Sequence, residues 1–117
     1  MPQLISQPAK IEVPGGKEIL EYVGKVVTDT DGVSVAKMVA PPNWTEPFQT
    51  PEFDEVTLVI RGKVQVEHSS GATIVNAGEA ILTKAGERIR YSTLELETEY
   101  VAVCVPAFTP SSVNRED

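Results

Sequence analysis

Short segments rich in Val, Ile and Thr recur along the chain, and each is bounded by residues that favour turns. The turn residues form clusters such as PGG at 14–16, DTDG at 29–32 and NAG at 76–78. Even spacing of short apolar segments and turn signals is typical of an all-β sandwich or barrel. The sequence therefore predicts strands over 33–39, 55–61, 63–68, 72–75, 79–83, 87–93 and 99–105.

Alternation of residue types assigns side chains to the two faces of these strands. In EVTLVIR (55–61), Glu55 shares one face with Thr57 and Val59, and the other face consists of Val56, Leu58 and Ile60. EYVAVCV (99–105) is also largely apolar on both faces. A strand that is apolar on both faces lies between two sheets or at a subunit interface. We therefore expect a homodimer.

The chain contains neither an internal repeat nor a low-complexity linker, which indicates a single domain. We expect an N-terminal arm and first strands at 1–32, a barrel core at 33–106 and a C-terminal tail at 107–117. No window holds the apolar spacing of an amphipathic helix for long, and GKEILEYVGK (16–25) is the best helical candidate. The mixed charges that end the tail predict disorder or a contact with the partner subunit.

The charge balance narrows the possible partners. Ten basic and 17 acidic residues give a net charge of −7, which opposes binding to nucleic acid phosphates or to an anionic membrane surface. The single cysteine, Cys104, is expected to be a small buried residue, and it calls for no oxidising compartment. No stretch resembles a signal peptide or reaches the ~20 apolar residues that span a bilayer. These features predict a soluble cytoplasmic protein.

Two motifs that end in glycine follow one another at fixed spacing. Six residues separate Glu55 from Gly62, and five separate Gly78 from Lys-Ala-Gly at 84–86. Together they resemble the two motifs of the cupin superfamily, with lysine where the family has proline. The resemblance covers about residues 33–106. It implies an all-β cupin-type jelly-roll β-barrel, also described as a double-stranded β-helix.

The metal-binding histidines of the cupin pattern are missing. The resemblance implies a metal held by His-x-His and the glutamate of the first motif and by one histidine of the second. The first two positions fall on Phe48 and Thr50, or on Gln49 and Pro51, according to the spacing. The third falls on Ile89. The chain resembles in this respect the cupin part of ethanolamine-utilisation proteins and a few metal-free barrel lyases.

We therefore expect no metal cofactor. The chain has one histidine, His68, which lies on a different predicted strand, near a turn. One carboxylate and one glutamine make a poor transition-metal site. A divergent single divalent ion held by Glu55, Gln49 and His68 is the alternative.

The resemblance directs Glu55 into the barrel cavity. Burial among apolar side chains raises the pKa of a carboxyl group, which suits it to act as a general acid or base near neutral pH. Tyr91 is expected on the same strand face as Ile89, near Glu55, and it is a candidate hydrogen-bond donor to a developing oxyanion. These two are the candidate catalytic residues. The candidate substrate-binding residues, on the walls and near the mouth of the barrel, are Met38, Asn43, Trp44, Phe48, Gln49 and Ile89.

Each candidate also has a purely structural interpretation. Glu55 can be ion-paired with Arg88 or Arg90 at the barrel rim, and Tyr91 can be a core aromatic. Trp44 can pack the extended arm against the barrel.

Four functions stay open from the sequence. The first is a barrel that binds a small molecule without turnover. The second is a metal-independent lyase, dehydratase or isomerase that uses Glu55 as acid or base. The others are a metal-dependent cupin enzyme with a divergent site and a structural dimer with a filled cavity.

Overall fold

The computed structural model describes residues 1–116, so Asp117 of the predicted tail lies outside the described residues. Within that range the chain forms nine strands and no α-helix, and hence no helix that could cross a membrane. The strands are β1 (Ala9–Ile11), β2 (Glu18–Val23), β3 (Ser34–Ala40), β4 (Asp54–Arg61), β5 (Lys63–His68), β6 (Gly71–Asn76), β7 (Ala80–Thr83), β8 (Arg90–Thr93) and β9 (Thr98–Val105).

The strands form two antiparallel sheets. One has six strands in the order β1-β2-β3-β9-β4-β7, and the other has three in the order β6-β5-β8. β3 and β4 follow one another in the chain but are not adjacent in the sheet. β9, the last strand of the chain, lies between them and pairs with both. The all-β fold is confirmed, and each of the seven predicted segments contains a strand.

The best helical candidate of the sequence, 16–25, forms no helix, because this segment contains strand β2. Ile19 pairs with Met38 and Glu21 with Ala36 across the β2–β3 ladder. Pairing with β3 and β1 provides two sets of backbone hydrogen bonds, and tertiary pairing of this kind overrides weak local propensity.

The central strands of the large sheet present small side chains to the interior. Ser34 and Glu55 both pair with Cys104, one from each side, and Ala36 pairs with Ala102. Residues in register on neighbouring strands point to the same face of a sheet. Serine, alanine and cysteine therefore occupy the inward positions around Glu55, and they leave space that larger side chains would fill.

Two separate apolar clusters lie on either side of that space. The larger joins the two sheets and contains Ala40, Trp44, Val59, Val64, Val66, Val75, Ile89, Tyr91 and Tyr100. The smaller contains Phe53, Cys104 and Val113, with Phe108 packed against it. The rings of Phe53 and Phe108 meet edge to face, with centroids 6.0 Å apart.

The C-terminal tail packs on its own chain, so the disorder expected for its final charged residues is wrong for 114–116. The Glu116 amide donates to the Phe48 carbonyl at 2.8 Å. The Glu116 carboxylate accepts two hydrogen bonds from Arg88, at 2.7 and 2.9 Å. Val113 is buried in the smaller cluster.

The glycine of the first motif has a steric role. Gly62 forms the turn between β4 and β5 with φ of +79°. A Cβ atom there would lie 2.7 Å from the Glu97 carbonyl oxygen. Glycine alone avoids both the strain of positive φ and this clash.

The outer face of β4 is apolar and exposed. Its side chains alternate with the buried ones, as the sequence pattern predicts. Val56, Leu58 and Ile60 are exposed, together with Leu82 on β7 and Val105 on β9. These five side chains form an exposed apolar surface where a second copy of the chain could pack.

Candidate functional site

A cavity of about 90 Å³ lies against the inward face of the large sheet. The segments around 46–53 and 108–115 complete its wall. A buried water needs roughly 10–15 Å³ of such space, so the cavity can hold several waters or a small ligand. Much of the lining is apolar, and its polar and charged members are Lys17, Glu21, Ser34, Glu46, Gln49, Glu55, Tyr91, Tyr100 and Arg115.

Glu55 lies inside the barrel, as the resemblance to cupins implies. It is 8% exposed and lines the cavity. Burial raises the pKa of its carboxyl group from 4.5 to about 7, although the hydrogen bond from Tyr91 and the charge of Lys17 both oppose the rise. A carboxyl group with this pKa can accept and return a proton at neutral pH.

The Tyr91 hydroxyl fixes the orientation of this carboxyl group. It donates to Glu55 Oε1 at 3.1 Å and lies 3.1 Å from Thr83 Oγ1. Burial and the neighbouring Glu55 raise the pKa of Tyr91 well above its usual range, so the phenol stays protonated. A phenol has one proton to donate, and this one is directed at Glu55. Donation from Tyr91 to a substrate oxyanion stays a prediction, and it would require the phenol proton to leave Glu55.

A buried lysine shares the cavity with Glu55. Lys17 Nζ lies 3.6 Å from Glu46 Oε1, 3.3 Å from the Tyr100 hydroxyl and 4.4 Å from the centroid of the Trp44 ring. Burial would lower the pKa of Lys17, but its interactions with Tyr100 and Glu46 outweigh burial and raise that pKa. Burial raises the pKa of the Glu46 carboxyl, while Lys17 opposes the rise.

The sequence interpretation missed Lys17 and Glu46. Lys17, Ile19 and Glu21 all line the cavity. Their two-residue spacing is a strand signal, but the sequence interpretation left 16–25 as its best helical candidate and assigned no strand faces there.

Two acceptors on the cavity wall have no hydrogen-bond partner within the described chain, Glu46 Oε2 and Gln49 Oε1. Backbone bonds in both directions between Gln49 and Ile89, each 2.9 Å long, hold the Gln49 side chain in place. A buried acceptor without a partner costs roughly 1–3 kcal/mol. Both acceptors are therefore positioned for donor groups of a ligand or of water.

The structure brings some of the expected binding residues to the cavity and places others elsewhere. Gln49 and Met38 line it. Ile89 and Trp44 are buried in the larger apolar cluster and do not line it, although Trp44 contacts Lys17. Asn43 lies in an exposed turn with φ of +57°.

Phe48 also lies away from the cavity. Arg88 and Arg90 stack on its ring, with guanidinium carbons 3.9 and 4.5 Å from the ring centroid. The Phe48 side chain points away from the cavity because side chains alternate along an extended chain and the neighbouring Gln49 points inward.

The alternative ion pair of Glu55 with an arginine is wrong. Arg88 binds Glu116, and Arg90 makes two 3.0 Å hydrogen bonds to Glu67. Both arginines therefore have acidic partners outside the barrel, and neither neutralises Glu55.

Cys104 lines the cavity next to Glu55 on the neighbouring strand. Burial and the nearby Glu55 raise the pKa of its thiol far above the usual range. It is therefore a neutral buried thiol, which is a poor nucleophile.

The donor set does not fit the metal that cupin barrels commonly hold. His68 hydrogen-bonds to Thr73 and Ser70 at a turn of the small sheet and does not line the cavity. Within residues 1–116 no group of three or more His, Cys, Asp or Glu side chains is placed to bind one ion. A lysine ammonium beside Glu55 and Glu46 adds a positive charge, which further opposes a cation.

Comparison with known proteins places this barrel in a family. The model of the family described as ethanolamine utilisation protein EutQ matches residues 15–110. A Myxococcus xanthus protein named endoribonuclease YbeY is 42% identical over 102 residues, a match that covers 86% of this chain and 35% of that protein. The chain thus spans about a third of the length of this curated relative.

Solved structures agree on the fold. A variant of oxalate decarboxylase from Bacillus subtilis matches with a TM-score of 0.76 and 18% identity, over 95% of this chain and 31% of that chain. The structure of ethanolamine utilization protein Q from Salmonella typhimurium LT2 matches with a TM-score of 0.65 and 19% identity, over 87% and 98% of the two chains. At these identities the likeness shows the cupin fold.

Proposed function

The chain belongs to the EutQ family of cupin-fold proteins, and from that premise we propose that it is a metal-independent cupin that binds a small molecule beside Glu55 and transfers a proton on it. The observation that carries this proposal is the carboxyl group of Glu55, buried on the wall of a cavity with a pKa of about 7. Ligand pockets combine apolar walls with a few convergent polar groups, and this cavity has that composition.

The surroundings of Glu55 suit proton transfer. Tyr91 holds one carboxylate oxygen at 3.1 Å and leaves the other free to meet a substrate. Because Glu55 titrates near pH 7, its ionised form accepts a proton and its neutral form returns one. A cavity of about 90 Å³ restricts the substrate to a few non-hydrogen atoms.

The test is exchange of carbon-bound hydrogen in D₂O, followed by NMR with a panel of small aldehydes, ketones and hydroxy acids. The wild-type protein should exchange hydrogen in at least one compound, at a rate that rises with pH through about 7. Glu55→Gln should abolish exchange. The exposed Glu12→Gln is the matched control and should behave as wild type. Equal exchange by wild type and Glu55→Gln would refute the role of Glu55.

We further propose that no metal takes part. Chelator treatment should leave exchange unchanged, and elemental analysis should find much less than one equivalent of metal per chain. About one equivalent of Fe, Mn, Ni or Zn, with activity lost on its removal, would refute this proposal.

Binding without turnover is the second candidate. The unpaired acceptors Glu46 Oε2 and Gln49 Oε1 favour it, because they favour a bound ligand whether or not a reaction follows. Saturable binding with no exchange of any carbon-bound hydrogen in the ligand would establish this function instead.

We propose a homodimer formed by the exposed outer face of β4. Val56, Leu58 and Ile60 offer a flat apolar surface that a second copy can cover by two-fold symmetry. Light scattering at micromolar concentration should give the mass of two chains, and a monomer mass would contradict the proposal.

The chain spans 35% of the Myxococcus relative, and its own net charge of −7 opposes binding of a phosphate backbone. We propose a cytoplasmic location, because the single cysteine, Cys104, is a buried thiol that needs no oxidising compartment.

A further inference from the structure

Lys17 carries hydrogen-bond donors that the protein does not use. An ammonium group has three N–H donors. Within the described chain, only the Tyr100 hydroxyl accepts from Lys17 at hydrogen-bond distance, at 3.3 Å. Glu46 Oε1 at 3.6 Å is an ion-pair partner that is too distant for a good hydrogen bond. At least one donor therefore remains for an oxygen atom placed in the cavity.

The charges around the cavity favour a neutral ligand. The Lys17 ammonium and the Glu46 carboxylate compensate each other at 3.6 Å. Glu21 also lines the cavity, and its carboxylate accepts from the backbone amides of Val26 and Val27 at 3.0 Å. Arg115, which is exposed, also lines the cavity, and Glu55 adds no charge while it is protonated. A ligand with a full charge would leave the buried site unbalanced, which is costly at low dielectric.

The unsatisfied groups also define the polar pattern of the ligand. Lys17 offers donors, whereas Glu46 Oε2 and Gln49 Oε1 offer acceptors. A matching molecule therefore carries an acceptor oxygen close to a donor hydroxyl. The cavity volume of about 90 Å³ keeps the molecule small.

We propose that Lys17 binds the carbonyl oxygen of a small neutral α-hydroxycarbonyl compound and supplies the positive charge that a metal ion supplies in metal-binding cupins. Either Glu46 Oε2 or Gln49 Oε1 accepts the single proton of the ligand hydroxyl. This inference names the substrate class for the site in the proposed function, and it rests on that function only for the reaction step.

The reaction step follows from these positions. The Glu55 carboxylate takes a proton from the carbon next to the carbonyl group. The electron pair of that C–H bond forms a C=C bond, and the carbonyl π pair moves to oxygen. The Lys17 ammonium stabilises the resulting enolate oxygen, as a preorganised cation does at developing negative charge. Protonated Glu55 then returns the proton, or in D₂O a deuteron, so the step needs no oxidant or co-reactant.

The test compares four probes that share a three-carbon skeleton: hydroxyacetone, propane-1,2-diol, lactate and 1-amino-2-propanol. Binding to wild type is measured by NMR titration. Hydroxyacetone should bind more tightly than the diol by about tenfold or more, because the diol hydroxyl in place of the carbonyl also accepts from Lys17 but adds an O–H that faces the ammonium without an acceptor. Tighter binding of lactate or of the amino alcohol would overturn the inference.

Variants of Lys17 identify the group responsible. Lys17→Met should abolish the preference for hydroxyacetone over the diol. Because this change leaves Glu46 without its ion-pair partner, the double variant Lys17→Met, Glu46→Gln keeps the site neutral and should also lack the preference. Lys10→Met, at an exposed position on β1, is the matched control and should retain it. An unchanged preference in the folded double variant would refute the inference.

The two proposals fail separately. Glu55→Gln should keep the preference for hydroxyacetone while it loses exchange. A Lys17-dependent preference without any exchange in wild type would uphold the binding inference and refute proton transfer. Exchange that depends on Glu55 and persists in the Lys17 variants would do the reverse.

Discussion

Replacing Glu55 by glutamine should stabilise the protein at alkaline pH and leave its stability nearly unchanged at acid pH. Burial raises the pKa of this carboxyl group from 4.5 to about 7. Between these values the unfolded chain has lost the proton while the folded chain keeps it, so rising pH favours unfolding. This stability begins to fall near pH 4.5, and the loss is complete above about pH 7.

The size of the effect follows from the same pKa. Each pKa unit corresponds to about 1.4 kcal/mol, so ionised Glu55 lowers the free energy of unfolding by about 3 kcal/mol. Glutamine is neutral, has nearly the same shape and retains an acceptor for the Tyr91 hydroxyl. The variant should therefore avoid this loss and melt on the order of 10 °C higher than wild type at about pH 8.

Thermal unfolding of both proteins at about pH 4.5 and about pH 8 measures this difference. The difference between variant and wild type isolates Glu55, because Glu46, Lys17 and the other ionisable groups are present in both. Glu12→Gln should show no such pH-dependent gain, since Glu12 is exposed. A stability difference that is equal at the two pH values, or a variant that is several kcal/mol less stable at both, would show that Glu55 is a structural group with an ordinary pKa.

Three further changes have defined outcomes. Tyr91→Phe removes the hydrogen bond that lowers the pKa of Glu55, so the pH at which Glu55-dependent exchange reaches half its maximum should rise. An unchanged or lower midpoint would be inconsistent with the 3.1 Å contact between Tyr91 and Glu55. Gly62→Ala should lower the free energy of unfolding by more than about 2 kcal/mol in chemical denaturation. Gly86→Ala is the control and should cost roughly 1 kcal/mol, because Gly86 has φ of +89° but no atom lies within 4 Å of an added Cβ. Equal costs would mean that the structure relieves the clash at Gly62. Leu58→Lys should convert a dimer to a monomer in light scattering without loss of folding, and a persistent dimer would place the interface on another surface.

Most strands of the barrel could be predicted from the alternation of residue types along the sequence. The resemblance to cupins placed Glu55 inside, and strand parity then placed Thr57 and Val59 on the same face; all three are buried, and the residues between them are exposed. No strand faces were assigned in 16–25, which was not recognised as a strand. In 16–25 the long-range pairing with β3 decides the structure, and no local pattern reports such a partner.

The candidate site was predictable at its carboxyl group but not at its charge partners. Lys17 and Tyr100 meet although they are 83 positions apart in sequence. An ion pair of Glu55 with Arg88 or Arg90 was one alternative from the sequence. Both arginines instead pair with acidic residues outside the barrel, Glu116 and Glu67. Contacts of this kind depend on how separate strands align, and charge alone does not specify them.

The most direct measurement is a ¹³C NMR titration of the Glu55 side-chain carboxyl group in chelator-treated protein, with the resonance assigned by its absence in Glu55→Gln. A buried cavity carboxyl group that exchanges protons without a metal should titrate with a midpoint near pH 7. A midpoint near 4.5, the ordinary value, would mean that Glu55 is ionised throughout the neutral range and would contradict its role as the acid and base of this barrel.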